Sequence, residues 1–367
     1  MAPPARTLPY ELIEEIFLRL PPDEPEWLVR ASLASKAWLG RLTAPRFQGR
    51  YSEFHRAPPM LGFLYSPRLY VSEEPLFIST TKFGACPHNR GFSASDAWDC
   101  RHGRVLLGRR DVSPEKLVVL DPITGRQTEQ DVPGNYSYRG SATVLYAVNG
   151  CDHRACRDGP FRLVFVGLDH DFAAYAYMSL PATGEWSKPS SGLHLGPYTS
   201  IAPMPPVLIQ DTLYSMLAYA DDHVGILKYD MCSKRLSLID VPLVEENIAD
   251  TTILMGMEDG SLGFARMDGL TLNLWSRQMG TNGAGWTECR VIDLKELLPD
   301  PAKQLRLIGS VEGGDMIIVT TRLGIYKINL NSMEWKKIWK REHFLTLIPY
   351  MSFYYPQWRA NLCDAVH

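Results

Sequence analysis

Thr7-LPYELIEEIFLRLPPDEPEWLVRASLASKAWLGRLTAPR-Phe47 holds short helical patterns in succession. Pro9 stands where a first helical turn tolerates proline, because its missing N–H would have no partner there. Glu11 follows in the first turn, favourable against the helix dipole. Leu12, Ile13, Ile16, Phe17 and Leu20 recur at helical spacing and give one broad apolar face, with Glu14, Glu15 and Arg19 on the other side. Pro21-Pro22 is expected to end this helix. A second helix is expected from near Pro25 through Trp27, Leu28 and Ala31 toward Leu33. Ser35 is placed to cap a third, which carries Trp38, Leu39 and Leu42 and stops at Pro45.

Three short helices over roughly forty residues bury too little surface to be stable alone. By pattern, the unit is either a helical cap on the following domain or a module that docks on a partner's groove. The residues then carry a resemblance. Leu8-Pro9, Glu11-Leu12, Ile16, Leu20-Pro21, Leu28 with Arg30-Ala31-Ser32, Ser35-Lys36-Ala37-Trp38 and Pro45-Arg46-Phe47 are similar, in order and spacing, to an F-box. The departures are a longer Pro22–Trp27 segment and Leu33-Ala34 where a valine commonly precedes Ser-Lys. The resemblance implies that Leu8, Pro9, Leu12, Ile16, Leu20, Leu28, Leu33 and Trp38 supply much of a face docked on a Skp-type adaptor, with part of that set turned inward. Through the adaptor it implies cullin and RING partners.

At 367 residues there is room for two domains. The expected division is a helical F-box domain at 1–54, a stiff linker at 55–60 around His55-Arg-Ala-Pro-Pro59, and a β domain at 61–367. A net charge of −3 argues against a nucleic-acid binder with a basic surface. The longest apolar runs, such as Met316-Ile-Ile-Val319, are strand-sized, so no membrane span is expected. Seven cysteines, an odd count, fit reduced thiols, and the N-terminus lacks a hydrophobic signal core. A soluble protein of the cytoplasm or nucleus is the expectation.

Beyond Met60 the signal is short β-rich runs separated by Gly, Pro, Asp and Asn, except for one or two helical turns expected at Ile292–Leu298. Strand–turn–strand units recur at 117–133, 174–189, 225–242, 262–278 and 324–339. Asp-Val-Pro at 131–133 returns at 240–242. Units returning at irregular intervals of about fifty residues, each with two to four strands, predict a β-propeller. A first unit within 60–110 brings the number to about six blades. A sandwich or two stacked sheets would need fewer, more regular strands. The run near Leu61 and the tail after Trp339 are both candidates to close the ring. The fold expected is therefore a small all-α F-box followed by an all-β, six-bladed propeller. Asp99-Cys-Arg-His-Gly-Arg-Val-Leu-Leu107, Leu120-Asp-Pro-Ile-Thr-Gly125 and Leu347-Ile-Pro-Tyr-Met-Ser-Phe-Tyr-Tyr-Pro356 resemble plant F-box proteins, particularly those expanded in grasses, whose C-terminal domain is propeller-like.

Cys86-Pro-His88, Cys100-Arg-His102 and Cys151, His153, Cys156 lack the paired spacing of a structural zinc site, so no metal is expected. Gly280–Gly285 lacks the Lys-Ser/Thr of a phosphate loop, and no nucleophile elbow or His-Glu-x-x-His occurs. No catalytic residue or cofactor is expected. Lys336-Lys337 and Lys340-Arg341, interleaved with Trp335 and Trp339, form either a solvated blade edge or an anion-contact patch. Tyr136, Tyr138, Tyr198 and Trp286 lie in expected loops and are candidate substrate anchors, although such rings also plug gaps between blades. The two resemblances together imply a substrate receptor of an SCF-type ubiquitin ligase, the propeller holding the protein to be ubiquitinated. The alternative left open is a non-degradative scaffold, such as a small-ligand or glycan sensor tethered through the F-box.

Overall fold

A computed structural model describes residues 9–67, 77–82, 95–109, 115–134, 140–147, 159–181, 183–221, 223–242, 251–277, 285–295, 297–298, 305–312, 314–340 and 344–356. The helices come first: α1 (Tyr10–Leu18), α2 (Glu26–Ala34), α3 (Lys36–Leu42) and α4 (Pro45–His55). Pro9 is the N-cap of α1, and Ser35 caps α3 by accepting from the Ala37 N–H at 3.2 Å. Two expectations need correction. The first helix ends at Leu18, ahead of Pro21, because the Arg19 and Leu20 N–H groups turn back to Ile16 and Phe17 in a tighter i−3 turn. Pro45 does not only stop α3. It also occupies the first position of α4, where its fixed φ favours a helix start.

The propeller has six sheets in ring order. Blade one joins β1 (Met60–Pro67) and β2 (Phe77–Ser79) to the last strand, β24 (Phe344–Met351). Blade two is β3 (Ser95–Arg101), β4 (Arg104–Arg109), β5 (Lys116–Leu120) and β6 (Gln127–Asp131). Blade three is β7 (Gly140–Tyr146), β8 (Phe161–Leu168), β9 (Ala173–Met178) and β10 (Leu193–His194). Blade four is β11 (Ser200–Ile201), β12 (Val207–Ile209), β13 (Thr212–Ala218), β14 (Val224–Asp230) and β15 (Arg235–Ile239). Blade five is β16 (Thr252–Gly256), β17 (Leu262–Asp268), β18 (Thr271–Arg277) and β19 (Thr287–Asp293). Blade six is β20 (Arg306–Val311), β21 (Met316–Thr321), β22 (Gly324–Asn329) and β23 (Trp335–Trp339), and β24 (Phe344–Met351) follows. Both closure candidates are used: β24 pairs antiparallel with β1, from Met60 opposite Met351 to Pro67 opposite Phe344. The run expected as helix at 292–298 begins as strand. Ile292 and Asp293 end β19, and after them the Leu297 and Leu298 N–H groups turn back to the Leu294 carbonyl.

Apart from the helical core, each cluster of buried side chains is a seam between neighbouring blades. Val105 and Leu107 pack toward blade one, while Leu106 between them packs toward blade three. Strands buried on both faces carry continuous apolar runs, Leu117–Leu120 in β5 and Met316–Val319 in β21. A repeated feature locks two of the seams. Trp186 donates from Nε1 to the Asp131 carbonyl at 2.8 Å, and Trp286 donates from Nε1 to the Asp240 carbonyl at 2.6 Å. This explains the recurring Asp-Val-Pro: in each copy the aspartate carbonyl takes the indole of the next blade, and Val132 or Val241 packs in the same seam.

Candidate functional site

Two surfaces and one buried centre come from this arrangement. The helices sit at the end of the ring where β1 begins and β24 finishes. There Tyr51 donates its hydroxyl to the Leu20 carbonyl at 2.8 Å, and Tyr355 donates to the Gln48 carbonyl at 3.1 Å. Phe17, Leu18, Leu28, Leu42, Phe47 and Tyr51 form one core with Phe353 and Tyr355, so chain beyond the last strand completes the helical unit. Burial pushes the Tyr51 hydroxyl well above its ordinary pKa, with Tyr355 and then Asp23 adding to it.

The expected docking residues divide by position. Leu12 and Ile16, one turn apart on α1, are each 51% exposed, and Leu33 on α2 is 58% exposed. Pro9 is exposed at the start of α1. Leu28, read as part of the same face, is only 1% exposed and belongs inside the helical core. Leu20 and Trp38 are half-buried against that core, Trp38 edge-on to Phe17 at 5.2 Å. Leu8 lies outside the described residues. Tyr10, Trp27 and Phe54 are exposed on the same helices and were not anticipated. Helical spacing groups apolar positions without saying which are covered by another helix, so α4 was needed to separate them.

Charge fixes α1 against α4. Arg50 donates from Nη2 to Glu15 at 2.9 Å and from Nη1 to Glu14, and Arg41 approaches Glu14 at 3.6 Å. The hydrogen bond from Arg19, then that from Arg50, holds the Glu15 carboxyl below the usual carboxylate range.

The centre of the ring holds a charged cluster that sequence reasoning missed. Asp99 accepts from Arg101 Nε at 3.2 Å, from the Val144 N–H at 3.1 Å and from the Thr143 hydroxyl. Arg101 continues from Nη2 to the Pro206 carbonyl and pairs through Nη1 with Glu312 at 2.9 Å. Blades two, three, four and six are tied through these two side chains. Glu312, just past the end of β20, keeps 47% of its side chain open. Burial, and then Asp99, raises its carboxyl above the ordinary value, against the opposing pull of Arg101. Cys100, between Asp99 and Arg101 in sequence, is half-buried, and desolvation pushes its thiol well up, with Asp99 adding to it. Among the described residues no group of three or more His, Cys, Asp or Glu is arranged to hold a metal. Cys86, His88, Cys151, His153, Cys156 and the loop at 280–284 lie outside the described residues.

Of the expected substrate anchors, Trp286 is placed in the seam between blades four and five, its ring 5.8 Å from Phe264. Tyr198 stands 75% exposed in the β10–β11 connection, with its ring 6.0 Å from that of Phe172. Tyr136 and Tyr138 lie outside the described residues. Tyr350, near the end of β24, donates to the carbonyl of Gly103 in the β3–β4 turn, so the inner strands run the same way and these first turns share the helical face. Phe172, in the β8–β9 turn, and Tyr198, in a blade-to-blade connection, therefore lie on the opposite face.

Residues 7–46 match the F-box domain family. The chain is thus a four-helix unit containing an F-box, followed by a six-bladed propeller. No curated protein matches the chain. Among solved structures, it is similar to regucalcin, a calcium-binding protein from Agrobacterium tumefaciens, at 11% identity and TM-score 0.41, covering 72% of this chain and 75% of that one. It is similar to TolB from Acinetobacter baumannii at 10% identity and TM-score 0.42, covering 83% and 69%. A luciferin-regenerating enzyme matches at 11% identity and TM-score 0.38, covering 70% and 76%. Likeness at this level carries nothing about activity. Among the described residues no helix is long and apolar enough to cross a membrane.

Proposed function

We propose that the chain is the substrate-receptor subunit of an SCF-type cullin–RING ubiquitin ligase. The F-box docks on the Skp-type adaptor, and the propeller binds the protein to be ubiquitinated. The observation that carries the reading is the open apolar face of the F-box helices. Leu12, Ile16 and Leu33 remain exposed although Leu28, Phe353 and Tyr355 already fill the helical core. An exposed apolar face on short helices is the surface a groove-forming partner covers. Pro9, Leu20 and Trp38 border that face, Leu28 supports it from within, and Leu8 is assigned to it by the F-box resemblance alone. The helical unit at 1–54 joins the propeller at 61–367 through 55–60. The subunit works inside the cell, on neither nucleic acid nor membrane. It carries no catalytic group of its own; its contribution is proximity, holding the substrate near the conjugating enzyme brought by the RING subunit.

The test is co-purification with a plant adaptor subunit, chosen because of the resemblance to plant F-box proteins. Wild type is compared with Leu12→Asp plus Ile16→Asp. Capture by wild type and its loss in the folded double variant are expected. A folded wild-type chain that captures no adaptor would overturn the reading and leave the helices as a cap on the propeller.

A further inference from the structure

On the face away from the F-box, the seam between blades three and four carries a cluster that the receptor role has not absorbed. Phe172 and Tyr198 meet there at 6.0 Å, in two loops that are separate in sequence. The Leu195 N–H donates to the Phe172 carbonyl at 3.0 Å and ties the two loops together. Ser200 pairs with Ala218 across β11 and β13, which brings the β13–β14 turn, with Tyr219, Asp221 and His223, beside Tyr198.

Both rings are held at a steric cost. Phe172 has φ of 57° and Tyr198 has φ of 59°, a region that bulky side chains rarely adopt. Glycine would sit there freely, and Tyr198, three-quarters exposed, recovers little by burial. A strained, exposed ring that does not serve packing points to a binding role. The charge is one-sided as well. Segments 169–172, 193–201 and 218–223 contain no lysine or arginine. Asp169 Oδ1 is used up holding its own turn, accepting from the Asp171 and Ala173 N–H groups at 2.9 and 2.8 Å. Asp171 is exposed, and Asp221 is exposed 3.2 Å from the His223 ring.

An open aromatic ring flanked by carboxylates complements a cation, which is attracted to the ring face and to the acids together. We propose that this rim captures the substrate and that the segment it takes is cationic, with an arginine or lysine side chain laid on the Tyr198 ring and Asp171 and Asp221 in the adjoining turns. The proposal takes the receptor reading as its basis and names the chemistry of the substrate.

The test uses the full chain and two capped peptides, acetyl-Gly-Arg-Gly-Arg-Gly-amide and its glutamate counterpart, titrated by saturation-transfer NMR. The arginine peptide is expected to bind and the glutamate peptide is not. Tyr198→Phe should keep affinity within about twofold, and Tyr198→Gly should weaken it about fivefold, the size of an exposed cation–π contact. The thermal midpoint of Tyr198→Gly should hold or rise, because glycine relaxes the left-handed backbone. Equal binding by wild type and Tyr198→Gly, no binding by wild type at millimolar peptide, or a lowered midpoint in Tyr198→Gly would each overturn the proposal. Adaptor capture by the same proteins separates the two readings. Capture without peptide binding overturns the rim alone, and peptide binding without capture overturns the receptor role alone.

Discussion

Asp99 and Arg101, two residues apart on one inner strand, form a buried ion pair at the centre of the ring, with Arg101 Nε 3.2 Å from Asp99 Oδ1. Between them they reach Thr143 and Val144 in blade three, the Pro206 carbonyl in blade four and Glu312 beyond β20. A propeller is held mainly by contacts between neighbours. This pair adds links across the middle, from blade two to blades three, four and six.

Removing one member of such a pair strands the other charge. Asp99→Asn is expected to destabilise the protein by about 3 kcal/mol, and Asp99→Asn with Arg101→Met by less than the sum of the single changes. Guanidinium denaturation followed by tryptophan fluorescence measures both. Strictly additive losses would show that the two side chains act independently.

Glu312 gives the pH dependence a definite sign. Its carboxyl is raised, first by burial and then by Asp99, so the folded chain holds this proton more tightly than the unfolded chain does. The stability it contributes is full below the ordinary carboxylate value and is lost as pH climbs through the raised one. Glu312→Gln is therefore expected to raise the melting temperature at pH 7, with the gap closing toward pH 4. A variant less stable than wild type at pH 7 would mean that pairing with Arg101 outweighs burial.

Trp186 and Trp286 make the same contact in different seams. Trp186→Phe and Trp286→Phe should each cost about 1 kcal/mol, the worth of one indole hydrogen bond. The double variant should lose the sum to within about 0.5 kcal/mol, since the two sites share no partner. A clear excess over the sum would reveal coupling through the ring.

Phe353 joins the helical core from the far end of the chain, its ring 5.9 Å from Tyr51. Phe353→Ala should cost about 3 kcal/mol. Helical ellipticity at 222 nm should melt ahead of the tryptophan signal of the propeller, and adaptor capture should fall. Unchanged helical melting in that variant would mean that α1 to α4 stand without the tail.

Lys327 and Lys336 face each other across β22 and β23. Burial, followed by the Lys336 charge, holds the Lys327 ammonium below its ordinary value. Lys336→Glu should turn this repulsion into attraction and stabilise by up to about 1 kcal/mol, more at low salt. Thermal melts at two ionic strengths read the effect, and a salt-independent result would argue against a charge origin.

The local elements were legible in the sequence because their causes are local. Apolar residues at helical spacing and the Ser35 cap marked three helices, and strand–turn–strand units between Gly, Pro and Asp marked the blades. Pro45 misled, since the same missing N–H that ends one helix suits the start of the next. Trp286 misled in another way: a loop position does not say whether an indole meets solvent or, as here, the Asp240 carbonyl of the neighbouring blade.

By itself the sequence determined the class of each segment, the F-box motif at the start and the approximate number of blades. Those depend on spacing and residue type along a few turns of chain. Only the tertiary structure decided that Leu28 is core while Leu12, Ile16 and Leu33 stay open, that Phe353 and Tyr355 complete the helical unit, and that Tyr198 and Phe172 share the opposite face. It also brought Asp99, Arg101, Pro206 and Glu312 together. The physical reason is closure of the ring, where β24 pairs with β1: burial and charge pairing depend on neighbours hundreds of residues away, and no local pattern encodes them.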